Sequence, residues 1–186
     1  MIGGPRFIAP LLAMLAVGAC GSRHSLQYYG PVPDFELISQ TGRKVALADL
    51  KGKVWVADTV FTTCTGPCPM MSARMRRLAL EFASVPNVRM VSFTVDPPHD
   101  TPGVLLEYSK HFPAAPNRWL FLTGEQSVLN RVSLDGLHLS HVDGSLDHSA
   151  EFVLVDADTL VRGFYFPFDK ERLKQLTSDI RYLAGS

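Results

Sequence analysis

The chain has 186 residues, a length that suits one domain plus some targeting sequence and leaves no room for two full domains. Hydrophobic residues make up 46% and charged residues 19%, a composition that builds a packed core and excludes a disordered chain. Lys+Arg and Asp+Glu both number 18, so no nucleic-acid partner is called for, and 3 cysteines are too few for a disulfide-built scaffold.

Residues 1–19 differ from all that follow: one cation at Arg6, an apolar run from Ile8 to Val17, then small residues. The run is about half the roughly 20 residues a spanning helix needs, so it reads as a secretory signal. Its end, Val17-Gly18-Ala19-Cys20, resembles a bacterial lipoprotein processing site, in which Cys20 becomes the lipidated first residue and its thiol is used up. The alternative is a plain secretory signal whose boundary contains a cysteine. The polar, glycine-bounded stretch after Cys20 is expected to tether the domain over residues 20–31, with the folded domain at 32–186. That leaves two thiols, Cys64 and Cys68, in a compartment where disulfides persist.

Pro31 to Leu37 should be extended, and Gln40-Thr41-Gly42-Arg43 should turn a hairpin into Lys44 to Leu47. Val54 to Phe61 is an apolar, β-rich run suited to a strand buried on both faces. From Pro69 to Phe82, Met71, Met75, Leu78, Ala79 and Phe82 recur at helical spacing. Strands are then expected at 88–95 and 119–122, with helices at 102–111 and 125–134. Thr101 caps the first of these helices, and Pro102 stands at its first position. Two short strands at 151–156 and 161–166 form a hairpin around Asp156-Ala157-Asp158-Thr159, and a helix over 169–183 closes the chain. Alternating strands and helices imply a largely parallel core, to which the hairpins add antiparallel strands. The order βαβ, then ββα, with a cysteine pair after the first central strand, is that of an α/β, thioredoxin-like fold with an N-terminal β-hairpin extension and a mixed central sheet flanked by helices.

Cys64-Thr65-Gly66-Pro67-Cys68 puts two thiols one helical turn apart at a strand-to-helix junction. A helix start offers free N–H groups and the positive end of the macrodipole, which favour thiolate. Such a pair can switch between a disulfide and a two-thiolate claw for a soft metal. Three intervening residues, one more than in the common two-cysteine redox motif, make room for an ion. Copper(I), with copper(II) as a second state, suits two sulfurs and one imidazole, whereas zinc would want four closed ligands that the chain does not offer. A purely structural disulfide would close too small a loop to stabilise much.

His148 is the best-placed imidazole, because the loop before the 151–156 strand should face the first strand-helix junction; His99 is its rival. Asp147 either orients the His148 ring or caps the turn. Asp96, at the carboxyl end of a central strand, has either a docking or proton-transfer role or a turn role. His24 and His111 read as solvated, and so do His138 and His141, whose alternative is contact with a partner or second ion. Met70, Met71 and Met75 invite a copper reading, but helical spacing makes Met71 and Met75 core.

Three segments taken together resemble the Sco/SenC family, membrane-tethered thioredoxin-like proteins that help deliver copper to cytochrome c oxidase. They are Phe61-Thr62 through Cys64-x-x-x-Cys68-Pro69, then Val95-Asp96-Pro97 through Asp100-Thr101-Pro102, and Asp147-His148-Ser149; the likeness runs from about Pro33 to Leu183. The resemblance implies that Cys64, Cys68 and His148 bind copper, and that the recipient is the dinuclear copper centre of oxidase subunit II. Another copper acceptor is the alternative recipient, a periplasmic copper donor or thiol reductant would be a further partner, and a lipid at Cys20 would anchor the protein on the cell membrane facing the periplasm or extracytoplasmic space. Many members carry Pro directly after the first Cys, where this chain has Thr65, with Pro67 beside the second instead. Many are anchored by a helix.

Two functions are compatible with these residues: copper(I) delivery, and thiol:disulfide exchange by the redox pair Cys64 and Cys68 that keeps a partner's cysteines reduced. A peroxidase of the peroxiredoxin type is disfavoured, because Ala57 and Phe61 stand where that family's motif has Pro and Thr.

Overall fold

A computed structural model describes Met1, residues 25–143, Leu146 and residues 149–185. Its centre is a strand buried at every position, β4 (Val54–Val60). Val54, Val56 and Val60 point into one core, and Trp55 and Ala57 into the other. The continuous apolar run therefore reflects a strand with no solvent face.

β5 (Val88–Thr94) and β6 (Trp119–Thr123) extend β4 in parallel, and α1 (Cys68–Glu81) and α2 (Pro102–Lys110) connect them. On the other side of β4 lie β7 (Phe152–Val155) and β8 (Leu160–Tyr165), an antiparallel hairpin followed by α4 (Lys170–Ala184). β2 (Glu36–Ser39) and β3 (Lys44–Ala46) form the N-terminal hairpin, with β2 antiparallel to β6. β1 (Gly30–Pro31) pairs with β8. The order is β1-β8-β7-β4-β5-β6-β2-β3, the mixed sheet expected, although only β4–β5 and β5–β6 run parallel. Parallel pairing of neighbours needs a long crossover, which α1 and α2 supply; β2–β3 and β7–β8 are hairpins, and the segment between β6 and β7, with α3, crosses the sheet to bring β7 in antiparallel beside β4.

α1, α2 and α4 cover one face through Met71, Met75, Leu78, Leu105, Leu176 and Ile180. The other face is closed by the N-terminal segment and by α3 (Gln126–Asn130), with Phe35, Leu37, Leu129 and Val132 in its core. The helix expected over 125–134 ends at Asn130 and widens into a π turn over Arg131–Gly136. There Gly136 meets Pro33 so closely that a Cβ would lie 2.3 Å from the proline ring, which only glycine tolerates.

Residues 25–31, expected as tether, lie along β8. Tyr29 N–H donates to Val161 O, and the Arg162 guanidinium donates to Leu26 O and Gln27 O while pairing with Asp156 at 2.6 Å. No helix among the described residues is long and apolar enough to cross a membrane.

Register fixes which residues share an end of the sheet. Phe152 faces Tyr165 across β7–β8, and Ala57 faces Val153 across β4–β7, so the end of β4, the start of β7 and the end of β8 lie at one pole. The cysteines follow β4 and therefore occupy that pole.

Candidate metal centre

After Val60 the chain turns sharply, with Cys64 N–H donating to Phe61 O at 3.2 Å, and α1 begins at Cys68 behind Pro67. Pro69 in the first helical turn loses no hydrogen bond, since the first N–H groups of a helix have no partner inside it. Both cysteines are thiols; Cys64 is half-buried and Cys68 is buried against Met71 and Met75. The two side chains are hydrogen-bonded to each other, and Gly66 N–H donates to Cys64 Sγ at 3.4 Å. Burial pushes the Cys68 thiol far up, against the helix start and a hydrogen bond from the Phe61 backbone that favour the anion; the neighbouring Cys64 and the charge of Asp58 push it further the same way. The helix terminus favours the thiolate, and at Cys68 desolvation works against it.

A second carboxylate organises the loop from outside. Asp100 is fully buried; it accepts from the Thr62 hydroxyl at 2.5 Å, the Thr62 N–H at 3.2 Å and the Thr94 hydroxyl at 2.6 Å. Its Oδ1 also lies 3.0 Å from His99 Nδ1, and this bond raises the His99 pKa although that ring is about half exposed. One carboxylate therefore ties the loop before Cys64 to the loop after β5. Asp100→Ala is expected to lower stability by roughly 2–4 kcal/mol in denaturant unfolding, because it leaves the buried Thr94 hydroxyl without its acceptor and releases the half-buried Thr62 hydroxyl and N–H. A loss below about 0.5 kcal/mol would contradict this assignment.

Beneath the pair lies Asp58, an acid inside β4. It is 1% exposed and accepts from the Ser92 hydroxyl at 2.5 Å; Ser92 Oγ accepts in turn from Trp119 Nε1 at 2.9 Å. Burial raises its pKa to about 7, against the Ser92 bond, which lowers it. Tyr108, whose hydroxyl is 2.9 Å from Ser72 Oγ, completes this floor, and burial raises its pKa as well. From sequence, Asp58 and Tyr108 stand out in no motif, and Asp100 enters only as part of the Val95–Pro102 segment, with no role of its own. For Asp58 there was a signal: a lone acid in a run with no solvent face.

The remaining expected residues divide plainly. Cys20, Asp147, His148 and His24 lie outside the described residues. The loop carrying Asp147 and His148 leads into β7, whose start is at the cysteine pole. Asp96 is half-buried, and its carbonyl accepts from His99 N–H and Asp100 N–H as part of a turn. Thr101 caps α2 by accepting from Val104 N–H. Met71 and Met75 are core at 1% and 0% exposure, while Met70 is exposed. His111, His138 and His141 are exposed. Among the described residues no three His, Cys, Asp or Glu side chains converge on a point that could hold an ion. Two soft donors in contact make an incomplete site among the described residues.

The SCO1/SenC family model matches residues 27–185. A SCO1/SenC family lipoprotein from Bacillus anthracis is 30% identical, covering 83% of this chain and 95% of its own, with a TM-score of 0.75. BsSco, a member of the Sco family of cytochrome c oxidase assembly proteins in which a disulfide switch was identified, is 30% identical over 87% of this chain and 96% of its own, with a TM-score of 0.75. The Arabidopsis thaliana ScoI structure with copper bound is 25% identical over 81% of this chain and 98% of its own, with a TM-score of 0.66.

Proposed function

The chain belongs to the SCO1/SenC family, and on that footing we propose that it binds copper(I) through Cys64, Cys68 and His148 and passes it to the dinuclear copper centre of cytochrome c oxidase subunit II. The observation that carries this reading is the contact between the two thiols at a pole where the loop before β7 also ends. The copper in Arabidopsis ScoI and the oxidase-assembly role of BsSco support it. The lipoprotein relative supports a lipid at Cys20 that holds the protein to the outer face of the cell membrane.

Copper is the cargo, and the protein's part is to receive and release it. Cys68 keeps its proton in the empty site because burial disfavours the anion, and a soft cation displaces that proton on binding. Half-buried Cys64 is the sulfur an acceptor's ligands can reach, so transfer proceeds by exchange from that side. Titration of copper(I) against a competing chelator tests the set: His148→Ala should lower affinity by about tenfold or more while Cys64 and Cys68 still bind. Unchanged affinity would remove His148 from the site.

A second reading follows from the unequal exposure of the thiols. In thiol:disulfide exchange the accessible Cys64 attacks a partner disulfide, and the buried Cys68 then resolves the mixed disulfide. The partner gains two thiols, this pair becomes a disulfide, and an external thiol reductant restores it. The disulfide switch of BsSco supports this chemistry, which is indifferent to His148→Ala.

A further inference from the structure

The N-terminal segment reaches the domain in a way that fixes how the domain stands on a membrane. From Gly30, opposite Val161, residues 29 to 25 run back beside β8, and Leu26, Gln27 and Tyr29 line a groove of about 340 Å³ with Phe164, Tyr165 and Arg172. β8 ends at the cysteine pole, so the chain enters the domain heading from that pole. The Arg162 clamp on Leu26 and Gln27 keeps it there. Only four residues, Gly21 to His24, separate Cys20 from Ser25. Five peptide steps span at most about 18 Å, under half the roughly 40 Å diameter of a domain this size.

The surface beside this attachment carries exposed aromatic rings. Tyr28 is 61%, Tyr29 40% and Phe166 48% exposed. Tyr29 packs edge-on to Phe164 at 4.9 Å, and Phe166 to Phe168 at 5.3 Å, so the rings stand on a packed base. Charges here balance, with Lys170 and Arg172 beside Asp169 and Glu171, which leaves ring burial as the source of any attraction. Tyrosine and phenylalanine at the base of a short lipid tether suit the interface between headgroups and acyl chains.

We propose that the domain stands with its cysteine pole toward the phospholipid bilayer, the short tether from Cys20 and the rings of Tyr28, Tyr29 and Phe166 holding it there. The inference rests on the lipid-anchor reading of Cys20. It adds the orientation: the thiols exchange metal or disulfides close to the membrane surface, and an acceptor must present its site at that level.

The test uses the full lipidated chain in vesicles of phosphatidylethanolamine and phosphatidylglycerol. The photoreactive residue p-benzoylphenylalanine replaces Phe166 at the cysteine pole, Tyr28 in the entering segment beside the middle of β8, or exposed Lys51 or Asn117, which precede β4 and β6 at the opposite pole. Mass spectrometry of the mature N-terminus comes first. With Cys20 lipidated, lipid adducts at 28 and 166 should exceed those at 51 and 117 by about tenfold, and molar salt should leave them unchanged, since the contact is not electrostatic. Equal labelling at both poles, with Cys20 lipidated, overturns the orientation and leaves the anchor standing. An unmodified Cys20 overturns the anchor and the orientation with it, and leaves the copper site untouched.

Discussion

Asp58→Asn is expected to change how stability responds to pH more than any other single substitution. The folded-state pKa of Asp58 is raised from 3.8 to about 7, so between those values the native state holds a proton that the unfolded chain has lost. Stability therefore falls as pH rises through this window, and above it the buried charge costs roughly 4 kcal/mol at about 1.4 kcal/mol per pH unit. Asparagine keeps an acceptor for the Ser92 hydroxyl but cannot ionise. Its extra NH2 needs a partner, a penalty of about 1–3 kcal/mol that is present at every pH. The variant should thus be less stable than the parent near pH 4 and gain on it steadily toward pH 8. Urea unfolding at several pH values, with thiols kept reduced, measures the difference; parallel stability curves would mean that Asp58 ionises in the fold as easily as outside it.

Cys68→Ser should cost copper(I) affinity about 10²–10³-fold, the share of one soft ligand in the roughly 10–16 kcal/mol of a four-ligand site. The proton count tells ligand loss from general damage. Because burial keeps the Cys68 thiol protonated in the empty site, its proton leaves only with metal, and the parent's affinity should rise with pH by about tenfold per unit more steeply than the variant's. An identical slope in both proteins would show that Cys68 gives up no proton to the metal. The hydroxyl is smaller than the thiol it replaces, so the fold should survive at this buried position.

What could be read from the residues alone was whatever short-range pattern controls. The buried run of β4, the three- and four-residue spacing of α1, the cap at Thr101 and the turn at Asp156–Thr159 are all set by neighbours in sequence, and each is present. The pairing of the thiols was legible for the same reason, since one helical turn separates them. What escaped depends on partners far along the chain. Ser92 meets Asp58 from 34 residues away, and Thr62 meets Asp100 from 38, so neither carboxylate could be assigned a role from its own segment. The docking of residues 25–31 on β8 joins positions more than 130 apart, and nothing in that polar stretch announces it. At Cys68 the helix terminus was legible, but the depth of its burial, which outweighs it, was not.

The sheet closes at its two margins with very short strands, β1 of two residues and β3 of three. Unsatisfied backbone groups along a sheet margin are what a second chain would use to add itself and seed aggregation. With so few on offer, and a proline among them at Pro31, crowded copies of the domain can accumulate without polymerising through their strands.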